Sequence, residues 1–395
     1  MGALDGIRVL DLTIVVQGPM ATAMLHDLGA DVVKVELPAI GDLARWIGNA
    51  PGDPRSPYFE ACNRGKRSIT LDVRTEGGRR AVRSMIAWAD VVVSNFRPGT
   101  MEEWGLSYED CRAVNEGIIY ATGSTFGPQG PEAGREGADL SGQAAGGMIS
   151  TTGLDDGEYT PVGATVADAT SSLTLACGIL AALVHRQRTG LGQRVDVSLL
   201  GGQIWAQANE YTSYLLTGRV PGRSNRGHPL LPSLYGIFPT ADGWIALVGC
   251  PAPLWPGFCR AIERPDLADD PRFTGLIIEG ENARILFEIV GNILPQRSTA
   301  EWCRRLAAEH QRFAPVRTYD EVVADPQAHQ NGYFVRVPDT DGETVTVVGN
   351  PIRLSATPAM PGAAAPELGE HTEEVLLEVG MTWDDIAAAR ADGAY

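Results

Sequence analysis

The sequence predicts an α/β protein in which a Rossmann-like, doubly wound parallel sheet is joined to a second, smaller α+β domain. Three observations predict it. Through the first two hundred positions, short apolar strands alternate with helical patterns of about ten to fifteen residues, which is typical of a parallel sheet. These strands show little polar alternation, so both of their faces are expected to be buried. Beyond about position 220 the pattern changes to a strand pair followed by helices.

The elements of the large domain follow one another in a regular order. Residues 6–13 form the first predicted strand, and Pro19 opens a helix that ends at Leu28, since proline suits a first helical turn. Further strands are predicted at 31–36, 67–72, 90–94, 117–122 and 194–199, and further helices at 76–88, around 173–184 and at 201–216. Ligands of such sheets bind beyond the carboxyl ends of the strands.

The chain is expected to leave this large domain and to return to it. Residues 1–220 form its first part, 221–232 a linker rich in Gly, Arg and Pro, 233–325 the small domain, and 326–395 a return linker with the C-terminal part of the large domain. The small domain is predicted to hold strands at 234–239 and 243–248 and helices near 254–262, 281–294 and 299–309. A hairpin at 332–337 and 343–348, turning at 339–342, precedes terminal helices at 373–378 and 383–389.

Composition narrows the possible partners. The 395-residue chain is 44% apolar and has a formal net charge of −17, which disfavours nucleic acid and anionic membranes, because both need a positive footprint. The longest apolar run, twelve residues at 173–184, is too short to span a bilayer, and the first residues show no signal-peptide pattern. The six cysteines and six histidines show no metal-ligand spacing, which predicts no metal site and reduced thiols in the cytoplasm.

One carboxylate, Asp168, stands between a stretch containing Gly and Pro and the long apolar helix. A carboxylate at a helix start meets unpaired N–H groups and the positive end of the helix dipole, so Asp168 is expected to be ionised. An ionised, positioned carboxylate can attack an activated acyl group. The alternative is that Asp168 only caps its helix. The glycine motifs of dinucleotide and P-loop sites do not occur in the sequence, so NAD- or ATP-dependent chemistry loses its main support.

Several widely separated segments point to one family. They are 6–13, 18–19, 28–36, 63–72, 90–99, 127–131, Asp139 with Gln143 and Gly146, the segment around Asp168, 189–193 and 367–374. In this order they resemble the class III CoA-transferases, the group around formyl-CoA transferase and the CaiB/BaiF proteins. The resemblance covers nearly the whole chain and is weakest between about 200 and 320.

The resemblance implies that the large domain binds coenzyme A, and it assigns residues to that ligand. Gln17, in the turn after the first strand, would meet the thioester. Loops after the later strands would bind the nucleotide and the pantetheine arm. The residues implied for this ligand are Leu71, Asp72, Arg74, Asn95, Phe96, Arg97, Ala138 and Asp139.

Basic side chains are expected to hold the phosphates of this ligand. Arginine offers a planar fork to phosphate, which favours Arg74 and Arg97. Arg64, Lys66 and Arg67 are expected to add positive charge to the same site. Some relatives carry arginines at two positions where this chain differs, at Leu37 and near Glu103.

By the same resemblance, the enzyme moves coenzyme A from an acyl-CoA donor to a carboxylic acid through an aspartyl anhydride and an aspartyl-CoA thioester at Asp168. Coenzyme A and the acids are substrates, no tightly bound cofactor is expected, and the family's subunits interlock as homodimers. An α-methylacyl-CoA racemase is one alternative, but racemases place a His where this chain has Ala138, and alanine cannot act as the second base. A non-catalytic acyl-CoA-binding protein is the other alternative.

Overall fold

The computed structural model describes residues 2–51, 55–223, 225–231, 234–274, 278, 280–339 and 342–395. Its strands are β1 (Arg8–Asp11), β2 (Asp31–Glu36), β3 (Arg67–Thr70), β4 (Val91–Ser94), β5 (Ile119–Ser124), β6 (Arg194–Ser198), β7 (Tyr235–Pro239), β8 (Trp244–Val248), β9 (Phe313–Pro315), β10 (Phe334–Pro338) and β11 (Thr344–Val348). Its helices are α1 (Gln17–Asp27), α2 (Pro57–Asn63), α3 (Glu76–Trp88), α4 (Thr100–Glu103), α5 (Tyr108–Val114), α6 (Asp139–Ala145), α7 (Met148–Thr151), α8 (Val166–Thr189), α9 (Leu199–Ala206), α10 (Ala208–Thr217), α11 (Trp255–Ala261), α12 (Gly280–Ile293), α13 (Thr299–Ala308), α14 (Tyr319–Val323), α15 (Pro326–Gln330), α16 (Thr372–Glu378) and α17 (Trp383–Ala391). Each predicted strand and helix overlaps an observed one.

A six-stranded sheet forms the centre of the larger unit. Its order is β3-β2-β1-β4-β5-β6, every neighbouring pair is parallel, and this is the strand order of a Rossmann-like fold. The run Val91–Ser94 is wholly buried, because apolar clusters cover both faces of the sheet. The predicted doubly wound sheet is therefore confirmed, and the loops after its strands meet at one edge.

Helix α8 lies in the core of this unit. It packs on α1, β5 and β6 and ends at Gly190, whose φ of 76° suits a residue without a Cβ. Its 24 residues exceed the apolar run that predicted it, and by length and composition it could cross a membrane. Half of its most apolar stretch is buried within the protein, as in the core helix of a doubly wound sheet.

The smaller unit has its own sheet and core. Strands β7, β8 and β9 form an antiparallel sheet, which packs with α11, α12 and α13 around the buried Trp302 and Phe238. The hairpin of β10 and β11 belongs to the larger unit. The prediction of a second, smaller domain with strands and helices is confirmed.

The division of the chain differs from the predicted boundaries. The larger unit comprises Met1–Gly146, Gly163–Ala206 and Asp325–Tyr395, and the smaller comprises Gly147–Val162 and Gln207–Ala324, instead of a large domain continuous over 1–220. The predicted helix at 201–216 is two helices that break at Gln207. Glycine and proline mark turns, but they do not show which residues pack together. Residues 224, 232 and 233, in the predicted linker and small domain, and 340 and 341, in the predicted hairpin turn, lie outside the described residues.

Candidate active site

A cleft of about 360 Å³ opens at the carboxyl edge of the large sheet. Residues that follow β1, β2, β3 and β4 line it, because the carboxyl ends of parallel strands share one edge. Four of the residues assigned from the sequence lie in its wall, namely Leu71, Asp72, Arg74 and Phe96. Other residues of the wall are Leu12, Ile14, Glu36, Leu37, Asp42 and Trp104. Phe96 contacts Trp104 edge to face at 5.0 Å between ring centroids, so one wall is apolar and aromatic.

An ion pair between Arg74 and Asp72 lies in the wall of the cleft. Arg74 donates to both oxygens of Asp72, at 2.8 and 2.7 Å, and this hydrogen bonding lowers the pKa of the Asp72 carboxyl. A phosphate near Arg74 would therefore compete with a carboxylate that already holds the guanidinium. Arg97 is exposed, and among the described residues it forms no ion pair.

Asn95 holds the main chain of the turn after β1. Its Oδ1 accepts from the Ile14 N–H and its Nδ2 donates to the Ile14 carbonyl, both at 2.8 Å. The side-chain amide is thereby engaged inside the protein. Its predicted contact with the nucleotide stays a prediction, and what the structure adds is that Asn95 shapes the turn leading to Gln17.

Gln17 is the first residue of α1 and lies against α8. Its Nε2 donates to the Ser171 hydroxyl at 2.6 Å. The Ser172 hydroxyl lies 2.7 Å from the main-chain oxygens of both Gln17 and Asp168. A Cβ at Gly123 would lie 2.4 Å from Gln17 Oε1, so glycine at that position leaves room for the amide. Gln17 is therefore held against α8 at Ser171, which lies about one helical turn after Asp168.

Asp168 lies in the first turn of α8 and is 8% exposed. Burial first, and then the negative charge of Asp139, raise the pKa of the Asp168 carboxyl from its ordinary value of 3.8 to about 7. Within the described residues no side chain or N–H group donates a hydrogen bond to this carboxylate. The expectation that the start of the helix holds Asp168 ionised is therefore wrong, because burial and the nearby Asp139 raise the pKa of its carboxyl.

Asp139, rather than Asp168, takes the N–H groups at the start of α8. Its Oδ1 accepts from the N–H groups of Ala167 and Asp168, at 2.7 and 3.1 Å, and its Oδ2 accepts from Gln143 Nε2 at 2.6 Å. The alternative in which Asp168 serves as the helix cap thus does not describe this chain. Ala138 precedes α6 and offers only a methyl group.

The other predicted basic residues are neutralised by acids of the large unit. Lys66 is wholly buried and pairs with Asp11 at 2.8 Å, and Arg64 pairs with Asp27. Arg67 pairs with Asp31 at 2.6 Å and with Glu378 at 2.6 Å. The expectation that Arg64, Lys66 and Arg67 add free positive charge to an anion site is therefore wrong. These residues stabilise the sheet and its helices.

Several residues of this region carried no signal in the sequence. Ser171 and Ser172 join α8 to α1, yet serines inside a helix are common and predict nothing by themselves. Lys34 and Asp42 form a buried ion pair beside the turn after β1. Lys34 is the exception that the sequence does signal, because only two of the 32 lysines and arginines of the chain are lysines. Among the described residues, no group of three or more His, Cys, Asp or Glu side chains could hold a metal ion.

Comparison with known proteins gives one answer from sequence and from structure. The model of CoA-transferase family III matches residues 4–372. The chain is 38% identical to the succinyl-CoA:mesaconate CoA-transferase of Haloarcula hispanica, over 96% of this chain and 97% of that protein. It is 36% identical to the succinate–glutarate CoA-transferase of Agrobacterium fabrum, over 95% of each. A solved CaiB/BaiF family protein from Brucella suis, 34% identical, superimposes with a TM-score of 0.84 and covers 96% of this chain and 99% of its own.

Proposed function

The chain belongs to CoA-transferase family III and is a CoA-transferase, and on this premise we propose that transfer proceeds through covalent intermediates on Asp168. One observation carries the proposal. The Asp168 carboxylate is buried, has a raised pKa of about 7, and receives no hydrogen bond from the described residues. A carboxylate that lacks solvation is a strong nucleophile, and with this pKa part of the Asp168 carboxyl is ionised at neutral pH.

The first half of the reaction loads the enzyme. A carboxylate oxygen of Asp168 attacks the thioester carbonyl of the donor, the C–S bond breaks, and coenzyme A leaves as its thiolate. The product is a mixed anhydride between Asp168 and the donor acid. The thiolate then attacks the Asp168 carbonyl carbon, the donor acid leaves as a carboxylate, and an aspartyl-CoA thioester remains.

The second half reverses these steps with another acid. The acceptor carboxylate attacks the aspartyl thioester and releases the thiolate, which then attacks the acceptor's carbonyl and frees Asp168. One activated acyl group is exchanged for another at each stage, so the thioester energy is conserved. Gln17 would meet the thioester, and the fixed position of its amide at Ser171, about one helical turn after Asp168, supports that role by pre-organisation.

We place the body of coenzyme A in the cleft beside β3 and β4. Leu71 and Phe96 would contact its apolar parts, and Arg97 and Arg74 its phosphates. Asp72 would have to share Arg74 with a phosphate, since the two are paired. Ala138 and Asp139 would border the thioester end. Remote binding energy from the nucleotide then positions the reacting carbonyl.

The relatives suggest the class of acid. Their names specify succinyl-CoA with mesaconate and succinate with glutarate, and we propose dicarboxylic acids of four or five carbons as substrates here.

The subunits are proposed to interlock as a homodimer, as the family resemblance implies; a monomer in sedimentation at micromolar concentration would contradict this. The cytoplasm is the proposed compartment, supported by six free cysteines.

Trapping tests the covalent role of Asp168. Hydroxylamine added with succinyl-CoA is expected to inactivate the enzyme by forming a hydroxamate at Asp168, seen as a peptide mass shift. Asp168→Ala is expected to abolish transfer and leave coenzyme A binding intact. Label at Asp139, or substantial turnover by the variant, would show that the assignment is wrong.

Deuterium exchange separates transfer from racemisation. A chiral 2-methylacyl-CoA in deuterated water is expected to gain no α-deuterium, because Ala138 cannot act as an opposing base. Rapid exchange would show that another residue supplies it. Binding of coenzyme A without any transfer across a panel of acids would instead favour a non-catalytic binding protein.

A further inference from the structure

The turn between β1 and α1 has an unusual main-chain conformation. Val15 has a φ of 66°, in the left-handed region that a β-branched side chain strongly disfavours. Such a conformation is strained and persists only where the surroundings enforce it. Gln17, two residues after Val15, is the first residue of the helix that follows this turn.

Three side chains hold this turn, one from β2 and two from the loops after β2 and β4. We call them the turn clamp: Lys34, Asp42 and Asn95. Lys34 Nζ donates to the Thr13 carbonyl at 2.8 Å. Asn95 holds both main-chain polar groups of Ile14. Asp42 accepts from the Val15 N–H at 2.9 and 3.2 Å. Consecutive main-chain groups of the turn are thus each fixed by a side chain.

Asp42 connects this turn with the cleft. Its Oδ1 also accepts from the Ala44 N–H at 2.9 Å, its Oδ2 lies 2.8 Å from Lys34 Nζ, and the residue itself lines the cleft. The side chains of Lys34 and Asp42 are 0% and 1% exposed. Burial opposes the charge of Lys34, but Asp42, Asp11 and Glu36 outweigh it and raise the pKa of Lys34, so the pair is ionic.

We propose that Asp42 is a positioning residue of the transfer reaction: backed by Lys34, it holds Val15 in the left-handed conformation and so fixes Gln17 against α8 beside Asp168. The inference rests on the proposed roles of Asp168 and Gln17. It assigns a function to the strain at Val15, since a displacement of about 1 Å at a reacting group can lower turnover about 100-fold.

A glycine rescue tests the role of Asp42. Asp42→Glu keeps the charge opposite Lys34 but moves the oxygens, and we expect kcat to fall at least about tenfold while KM for succinyl-CoA changes less than about threefold. Adding Val15→Gly is expected to recover most of kcat, because glycine adopts a positive φ without the clamp. Asp42→Asn, checked for folding by thermal melting, is expected to show the same fall in kcat and the same recovery with Val15→Gly.

Two controls separate the possible failures. Asp31→Asn removes a partly exposed carboxylate from the same sheet and is expected to leave kcat unchanged. Unchanged kcat in folded Asp42→Glu, or no recovery with Val15→Gly, would overturn the role of Asp42. If the wild-type enzyme gives no hydroxamate at Asp168, the proposed function fails instead, whatever Asp42 does.

Discussion

Two buried carboxyls of the large unit, Asp11 and Asp168, have opposite environments. Asp11 is fully buried and lies 2.8 Å from Lys66. Asp168 is 8% exposed and receives no donor from the described residues. Burial works to raise the pKa of both. For Asp11, Lys66 and Lys34 outweigh burial and lower the pKa, whereas for Asp168 the nearby Asp139 adds to the rise, to about 7.

The two sites differ in whether a cation neutralises the buried carboxylate. Both lysines of the chain are used to neutralise acids inside the larger unit, around Asp11 and Asp42. Within the part of the chain that the structure describes, Asp168 has no cation beside it. A buried acid without a partner costs stability, which supports the proposal that this position serves a reaction rather than the fold.

Removing the charge of Asp11 is expected to have the largest effect on stability. Asp11→Asn leaves Lys66 buried and weakens the acceptor for Thr13 and Thr22. We expect a loss of about 5 kcal/mol, the upper end for breaking a buried ion pair. Urea denaturation of the variant and the wild type measures it.

A matched carboxylate provides the control for this loss. Asp31→Asn breaks a pair with Arg67 in which the acid is 41% exposed, and its midpoint should move only slightly, because solvent screens such pairs. Equal midpoint shifts in Asp11→Asn and Asp31→Asn would show that burial does not distinguish the two sites.

Asp168 should make stability fall as pH rises, opposite to Asp11. Between its unfolded value of 3.8 and its folded pKa of about 7, the folded chain holds the proton and the unfolded chain does not, so deprotonation favours unfolding. From pH 5 to pH 8 we expect wild type to lose about 3 kcal/mol relative to Asp168→Ala, because the loss of 1.36 kcal/mol per pH unit accumulates only over the two units below the folded pKa. Parallel profiles from urea titrations would contradict the raised pKa.

Much of the fold follows from the sequence because strand pattern and topology are local properties. The run Val91–Ser94 has no polar alternation and lies in the middle of the sheet, as its composition predicts. The break at Gln207 was missed, because no proline or glycine marks it. The membership of 147–162 in the smaller unit was missed as well, since loops without periodicity do not show what they pack against.

The candidate site was predictable only where topology decides. Leu71, Arg74 and Phe96 follow strands of a parallel sheet, so they share one edge whatever their partners are. Whether a charge is free depends on residues far along the chain: Arg67 meets Glu378, and Asp139 takes the N–H groups that a local argument gave to Asp168. Pairing across such distances cannot be inferred from one sequence.

Amine labelling should show whether the two buried lysine side chains are protected from a reagent in solution. Lys34 and Lys66 have 0% exposed side chains. Burial lowers the pKa of Lys66 to about 8, against the opposing effect of the negative charge of Asp11, so at pH 8 its amine would react if a reagent reached it. We expect acetylation of both lysines by an N-hydroxysuccinimide ester to be at least about 100-fold slower in the folded chain than in urea. Peptide mass spectrometry follows it, and rapid labelling of Lys66 in the folded enzyme would contradict the burial of this network.

A smaller loss than that of Asp11→Asn is expected for a neutral donor of the same network. Thr22 Oγ1 donates to Asp11 Oδ2 at 2.6 Å, and Thr22→Val removes that hydroxyl at nearly constant volume. Asp11 keeps Lys66 and the Thr13 N–H, so we expect a loss of only about 1–2 kcal/mol in urea denaturation. In the Asp11→Asn background the same substitution should cost less, because the charged acceptor is already gone. A loss as large as that of Asp11→Asn would mean that the hydroxyl, and not the lysines, stabilises the buried charge.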